Sequence, residues 1–164
     1  MEWLAWLEST TYATWVRQSR SIWAYPSILT AHTLGLAVLV GGNVALDLAL
    51  LGRLPGLPLA PLRGVFPVMW AGFWINALSG TALLIMAPAK LFNPAFIVKM
   101  TCIALGVADM MWLKRAAFWA SASSPDRGPR AAPISARLLA AASLALWAGA
   151  ITAGRLMAYI GVQR

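Results

Sequence analysis

The chain alternates between long apolar runs and short polar connections. Four runs reach the length of about 18 residues that is typical of a transmembrane helix. They cover about 22–51, 65–87, 94–112 and 134–160, and polar residues are isolated within them. The pattern predicts an all-α fold, an integral membrane four-helix bundle over residues 21–164.

Residues 1–20 have a different pattern, in which tryptophans mix with charged side chains. Such a stretch is too polar to span a bilayer, and its aromatic side chains are typical of a helix that lies in the membrane interface. We therefore expect an N-terminal amphipathic interfacial helix that contains Trp3, Trp6, Trp15, Glu8 and Arg17.

Composition supports a membrane location. The 164 residues are 60% hydrophobic and 11% charged, and their mean hydropathy is +0.71. A soluble domain of this size could not cover so much apolar surface with polar groups. The net charge of +8 comes mostly from short connections beside the apolar runs, which is the distribution of a membrane protein. The expected partner is the lipid bilayer, with no nucleic acid.

The basic residues also predict the topology. The connection after the first span carries Arg53 and Arg63, and five further basic residues lie between the end of the third span and the first residues of the fourth, at Lys114, Arg115, Arg127, Arg130 and Arg137. The opposite side has fewer, so the positive-inside rule places the two basic connections in the cytoplasm. In a bacterial cytoplasmic (inner) membrane, both termini would then be periplasmic.

Ionisable residues inside a membrane span are costly and are functional candidates. Counting at about 1.5 Å per residue places three of them, His32, Lys99 and Arg155, in the outer third of the bilayer. Ser79 of the second span lies at a similar depth, and Trp74 could line a pocket. Two cations and a histidine without an acid suit an anionic partner, such as haem propionates, a phospholipid headgroup or a quinone oxygen.

Simpler interpretations exist for each of these residues. A lone histidine can hydrogen-bond to a neighbouring helix, and Lys99 and Arg155 can extend their charges to the headgroups. The first span also carries a polar stripe at helical spacing, with His32 at the top, Asn43 in the middle and Asp47 at the bottom. Small residues on the same helix allow a close approach of a neighbouring helix or a flat cofactor.

Three segments carry a family resemblance: YPSILTAHTLGLAVLVGGNVALDLALLG, NPAFIVKM and AGRLMAYIG. They resemble the first, third and fourth helices of small four-helix bacterial membrane proteins classed as domains of unknown function. More distantly, the histidine high in the first helix and the lysine early in the third are similar to HemJ-type protoporphyrinogen oxidases and to CopD-like copper-resistance domains. The HemJ likeness implies a haem b site with His32 as metal ligand and Lys99 as its essential partner.

The leading hypothesis is therefore a membrane haem b protein that acts in electron transfer or in redox chemistry of a lipophilic substrate such as a quinone. With one histidine, the iron would be five-coordinate or completed by another group. The alternatives are a non-catalytic anchor or accessory subunit, a small transporter-like protein and a metal-handling protein. A homo-oligomer or a membrane-complex partner would suit the anchor.

Overall fold

The computed structural model describes residues 2–54, 64–123, 134–157 and 159–160. Over these residues the chain is helical and contains no strand, which confirms the predicted all-α bundle. A 3₁₀ turn, Pro88–Phe92, joins the fourth helix to the fifth. The helices are α1 Glu2–Ser9, α2 Thr11–Gln18, α3 Tyr25–Leu50, α4 Val65–Met86, α5 Pro94–Ser123 and α6 Ile134–Leu156.

Four of the helices are long and apolar enough to cross a membrane: α3, α4, residues 94–115 of α5, and α6. Their most hydrophobic windows have mean hydropathies of 1.5 to 1.8. Large apolar side chains point outward from them, including Leu34, Leu78 and Trp112, which are each at least 60% exposed. Such a surface is stable against hydrocarbon and not against water. The chain is a multi-pass membrane protein.

The N-terminal amphipathic segment forms two short helices, where the sequence pattern indicated one. The break falls at Thr10, whose hydroxyl donates to the carbonyl of Leu7 at 2.8 Å and accepts from the backbone N–H of Ala13 at 3.3 Å. Thr10 is thereby the N-cap of α2, a role that threonine fills well. α2 buries Ala13 and Val16 and packs against α4.

Two helix boundaries are informative. α4 begins at Val65, where the apolar pattern places it, whereas α5 continues well past residue 112 to Ser123. Residues 113–117 are leucine, lysine, arginine and alanine, which all favour the helix. The polar residues that follow the apolar run therefore do not end α5. The central parts of the two predicted cytoplasmic connections, 55–63 and 124–133, lie outside the described residues.

The bundle is organised around α3. It packs on α4 and also on α6, and α6 packs in turn on α5. We call the end at which α3 begins the outer end. The large buried apolar side chains lie in the middle of the bundle and in its other half; the main ones are Leu39, Leu46, Phe66, Met69, Met110, Leu113 and Trp147. Toward the outer end, the buried residues are smaller or polar, including Gly35, Asn76, Ser79, Ala150 and Ala153.

Candidate functional site

His32 is half-buried between α3 and α4 and bonds to α4 through one ring nitrogen. Its Nδ1 lies 3.0 Å from the carbonyl oxygen of Asn76 and 3.2 Å from the hydroxyl of Ser79. A carbonyl oxygen only accepts hydrogen bonds, so the 3.0 Å contact favours the tautomer with the ring proton on Nδ1 over the longer 3.3 Å approach of the Asn76 amide nitrogen, which is a donor. Within the described part of the chain, every hydrogen bond of the ring is made through Nδ1. Nε2 of the neutral imidazole therefore keeps its lone pair.

Two glycines bring α3 and α4 together next to His32. A methyl group on Gly35 would lie 2.7 Å from the backbone nitrogen of Asn76 and 2.8 Å from the carbonyl oxygen of Gly72. A methyl group on Gly72 would similarly lie 2.9 Å from the carbonyl oxygen of Gly35. The two backbones are in direct contact, as in other membrane helix pairs with small residues at the interface. This contact places His32 against the turn of α4 that follows Gly72 and carries Asn76 and Ser79.

Asn76 completes the bond between the two helices. Its side-chain amide donates to the backbone carbonyl of His32 at 2.7 Å, while its own carbonyl accepts from the ring. Sequence reasoning missed this residue. The available signal was its polarity inside an apolar span, which marks a residue for attention, and its position three residues before Ser79.

Lys99 reaches the same region from α5. Its side chain is half-buried and runs along Gly154 of α6, whose added methyl group would lie 3.6 Å from Cδ and 3.9 Å from Nζ. The ammonium is close enough to the imidazole for its charge to act on His32. Ser79 thus contacts His32 directly, whereas Lys99 lies within electrostatic range of His32 without a hydrogen bond to it among the described residues.

The other two predicted site residues face outward. Arg155 is an exposed residue of α6, although its neighbour Gly154 contacts Lys99. Trp74 is 57% exposed, and its ring packs edge-on against Phe73 at a centroid distance of 5.4 Å. Both lie on faces of their helices that lipid or a partner can reach, and neither is in contact with His32.

The surroundings of His32 share one feature with an axial haem ligand. A ligating histidine usually donates its second ring N–H to a carbonyl or carboxylate, which fixes the tautomer and leaves the other nitrogen for the metal. His32 has this arrangement, with Asn76 as the acceptor. Its ring also packs on a glycine, because a methyl group on Gly80 would lie 3.0 Å from Cε1. Lys99 is the described cation that could neutralise a propionate there.

A separate groove of about 390 Å³ lies near the outer end, between α2 and the start of α3. Its lining includes Arg17, Arg20 and Tyr25. None of the residues described around His32 contributes to it. The groove is therefore a different surface feature, and its two arginines lie where the chain enters the membrane-spanning region.

Fold and site together define a helical membrane protein with a polar interhelical site around a single histidine. A comparison of the chain with protein-family models, with curated proteins and with solved structures finds no match. The chemistry of the site is therefore inferred from its own residues.

Proposed function

We propose that this membrane protein binds haem b through His32 and acts in electron transfer or in redox chemistry of a lipophilic substrate of the quinone class. The observation that carries the proposal is the 3.0 Å contact between Nδ1 of His32 and the carbonyl oxygen of Asn76. It presents Nε2 as a ligand with a fixed tautomer. The distant likeness to HemJ-type proteins supports the same assignment.

The chain's own residues orient the ligand and balance charge. The Asn76 carbonyl holds the ring proton and makes the imidazole a better electron donor. The Asn76 amide and the contact between Gly35 and Gly72 hold the backbones of α3 and α4 in place. Lys99 offers a positive charge to a carboxylate. Bound haem would supply one-electron chemistry, with a potential set by the axial ligand and by burial.

The visible spectrum of the detergent-purified protein tests the proposal. We expect a Soret band in the oxidised protein and split bands after reduction with dithionite. His32→Ala should lose them. Thr33→Ala is the matched control, because Thr33 is the exposed neighbour of His32 and its hydroxyl bonds only to the Leu29 carbonyl of its own helix. Unchanged absorbance in folded His32→Ala, or a wild-type protein that stays colourless when haem is added, would refute the proposal.

A rescue experiment separates ligation from folding. Removing the ring also removes a contact between α3 and α4, so lost absorbance in His32→Ala could come from a disturbed bundle. Free imidazole can occupy the space and ligate iron, and it should restore the Soret band to a folded His32→Ala protein. Elution at the wild-type volume in size-exclusion chromatography would show that the variant is intact. Restored absorbance supports ligation, and a failed rescue in an intact bundle argues against it.

The proposal includes a location and an orientation. We place the chain in a bacterial cytoplasmic membrane with both termini periplasmic and the His32 end of the bundle toward the periplasm. Support comes from the basic residues of the two predicted cytoplasmic connections, among them Arg53 and Arg127. An alkaline phosphatase fused after residue 164 should be active, because it folds only in the periplasm. An inactive but stable fusion would reverse the orientation.

A second function, that of a non-catalytic anchor or accessory subunit, has its own structural support. Both the ring and the backbone carbonyl of His32 bond to Asn76, so the pair also acts as a clamp between α3 and α4. In this case His32→Ala and Asn76→Ala should lower the stability of a colourless protein by similar amounts. A haem titration of the wild type then shows no saturable absorbance change, whereas the haem proposal requires saturation at one haem per chain.

A further inference from the structure

A second polar cluster lies deeper in the bundle, between α3, α5 and α6. It contains Asn43 and Asp47 of α3, Asp109 of α5, and Ser143 and Trp147 of α6. Each of these side chains is at most 9% exposed. The haem proposal uses none of them. Their burial in a membrane bundle calls for a physical explanation, because polar groups away from water need partners.

Several contacts show that the members share one region. The Ser143 hydroxyl of α6 and the Asp109 carboxylate of α5 both lie near the carboxylate of Asp47. The Asn43 amide nitrogen lies 4.0 Å from the sulfur of Met110, which follows Asp109 in α5. Trp147 packs on Gly106, one turn before Asp109, where a methyl group would lie 3.4 Å from its Nε1. The three helices therefore converge on a common polar volume.

Among the described residues, six polar atoms of this volume are unpaired. Within the described residues, the atoms without a hydrogen-bond partner include Asn43 Oδ1, both carboxylate oxygens of Asp47, Asp109 Oδ2, Ser143 Oγ and Trp147 Nε1. The Asn43 amide nitrogen donates to the Leu39 carbonyl at 3.0 Å, which leaves its oxygen for the cluster. Five of these six atoms are oxygens. The cluster thus offers many acceptors, and both carboxylate oxygens of Asp47 are without a hydrogen-bond partner.

This donor set has the chemistry of a hard cation site. Two buried carboxylates without a counter-charge repel one another and are costly in a low-dielectric interior. A proton shared between two oxygens would need them about 2.5–3.0 Å apart. Oxygens around a cation lie further from each other, because each bonds the metal at about 2.0–2.6 Å.

We propose that Asn43, Asp47, Asp109 and Ser143 form a binding site for a hard metal cation, such as Na⁺, Mg²⁺ or Ca²⁺, inside the membrane bundle. Carboxylate, amide and hydroxyl oxygens are the ligands that these ions prefer, and the absence of thiolate and imidazole from the cluster disfavours Zn²⁺ and copper. Charge balance favours a divalent ion, because two carboxylates carry two negative charges. Trp147 lies beside the site and provides a fluorescent reporter.

Thermal unfolding of EDTA-treated protein in detergent tests the site. Tryptophan fluorescence is followed in NaCl, MgCl₂ or CaCl₂, each compared with choline chloride at the same ionic strength. We expect a saturable rise in Tm with at least one cation, and the salt that gives it identifies the ion. A Tm that none of the three cations changes would overturn the proposal. A Tm that responds to pH but to no metal would also overturn it and would indicate protonated carboxyls.

Variants distinguish a specific site from general ion binding. Asp47→Asn keeps the side-chain shape and removes one charge, so we expect the cation response to be lost. The cation-free Asp47→Asn protein should be at least as stable as the cation-free wild type, because repulsion from Asp109 is gone. Ser143→Ala should weaken the response. Glu8→Gln removes an acid of α1 far along the chain and should leave the response intact; equal responses in Glu8→Gln and Asp47→Asn would refute the site.

Discussion

The contact between α3 and α4 allows a quantitative prediction at Gly35. A methyl group there would meet two backbone atoms, Asn76 N at 2.7 Å and Gly72 O at 2.8 Å, whereas ordinary van der Waals contacts begin at 3.4 Å. Backbone atoms cannot rotate away from the added methyl group, and repulsion between overlapping atoms rises steeply. Gly35→Ala must therefore push α3 and α4 about 0.7 Å apart at this level.

The expected effect on stability follows from this overlap. Overpacking of a tight contact typically costs about 1–3 kcal/mol, and we expect a loss of this size in the free energy of unfolding. The site should suffer as well. A separation of about 0.7 Å would take Nδ1 of His32 from 3.0 Å to beyond hydrogen-bond distance of the Asn76 carbonyl. The haem affinity should therefore fall together with the stability.

Gly41 provides the matched control on the same helix. It is exposed, and no atom lies within 4 Å of the position of an added methyl group. Gly41→Ala should change the stability by less than about 1 kcal/mol, with any gain coming from helix propensity. Reversible unfolding of both variants in mixed micelles, followed by tryptophan fluorescence during an SDS titration, measures the difference. Equal midpoints for Gly35→Ala and Gly41→Ala would refute the close contact.

Three further predictions concern other contacts. Gly106→Ala should cost less stability than Gly35→Ala in the same SDS titration, because its methyl group meets the Trp147 ring at 3.1 Å and a side chain can shift; a larger loss would contradict the packing. Asn76→Leu should lower the stability by about 0.5–2 kcal/mol through the lost interhelical bonds and should weaken haem binding, and no change in either would exclude the clamp. Thr10→Ala should cost about 1 kcal/mol and reduce the helix signal in circular dichroism, whereas Thr10→Ser should not; equal signals would exclude the cap.

The sequence predicts the spans better than it predicts which faces meet. Hydropathy locates the spans because lipid demands long apolar helices. The same demand removes the amphipathic pattern that identifies a buried face in soluble proteins. On α3, for example, Leu34 faces outward and Leu39 is buried in the bundle, although both residues are leucine. Residue counting therefore gives depth, while rotation about the helix axis is left open.

This difference explains the outcome for each candidate of the site. Residue counting gives His32, Ser79 and Lys99 a similar depth; Ser79 contacts the His32 ring, and Lys99 lies within electrostatic range of it. Arg155 has a suitable depth, but the outward face of α6 carries it. Asn76 could not be connected to His32 from the sequence, since their meeting depends on glycines that look like any other small residues in an apolar run.

The two polar groups of α3 differ in a way that bears on their roles. The outer group, around His32, is satisfied by Asn76 of α4 across a glycine contact. The inner group, around Asp47, has six buried polar atoms without a hydrogen-bond partner among the described residues, including both carboxylate oxygens of Asp47. In a bilayer, water does not compensate an unpaired polar atom, so a satisfied group contributes to folding, whereas an unsatisfied one reduces stability unless a ligand completes it. By this reasoning, the inner cluster requires a bound ion more strongly than the His32 region requires haem, because His32 already has a structural role.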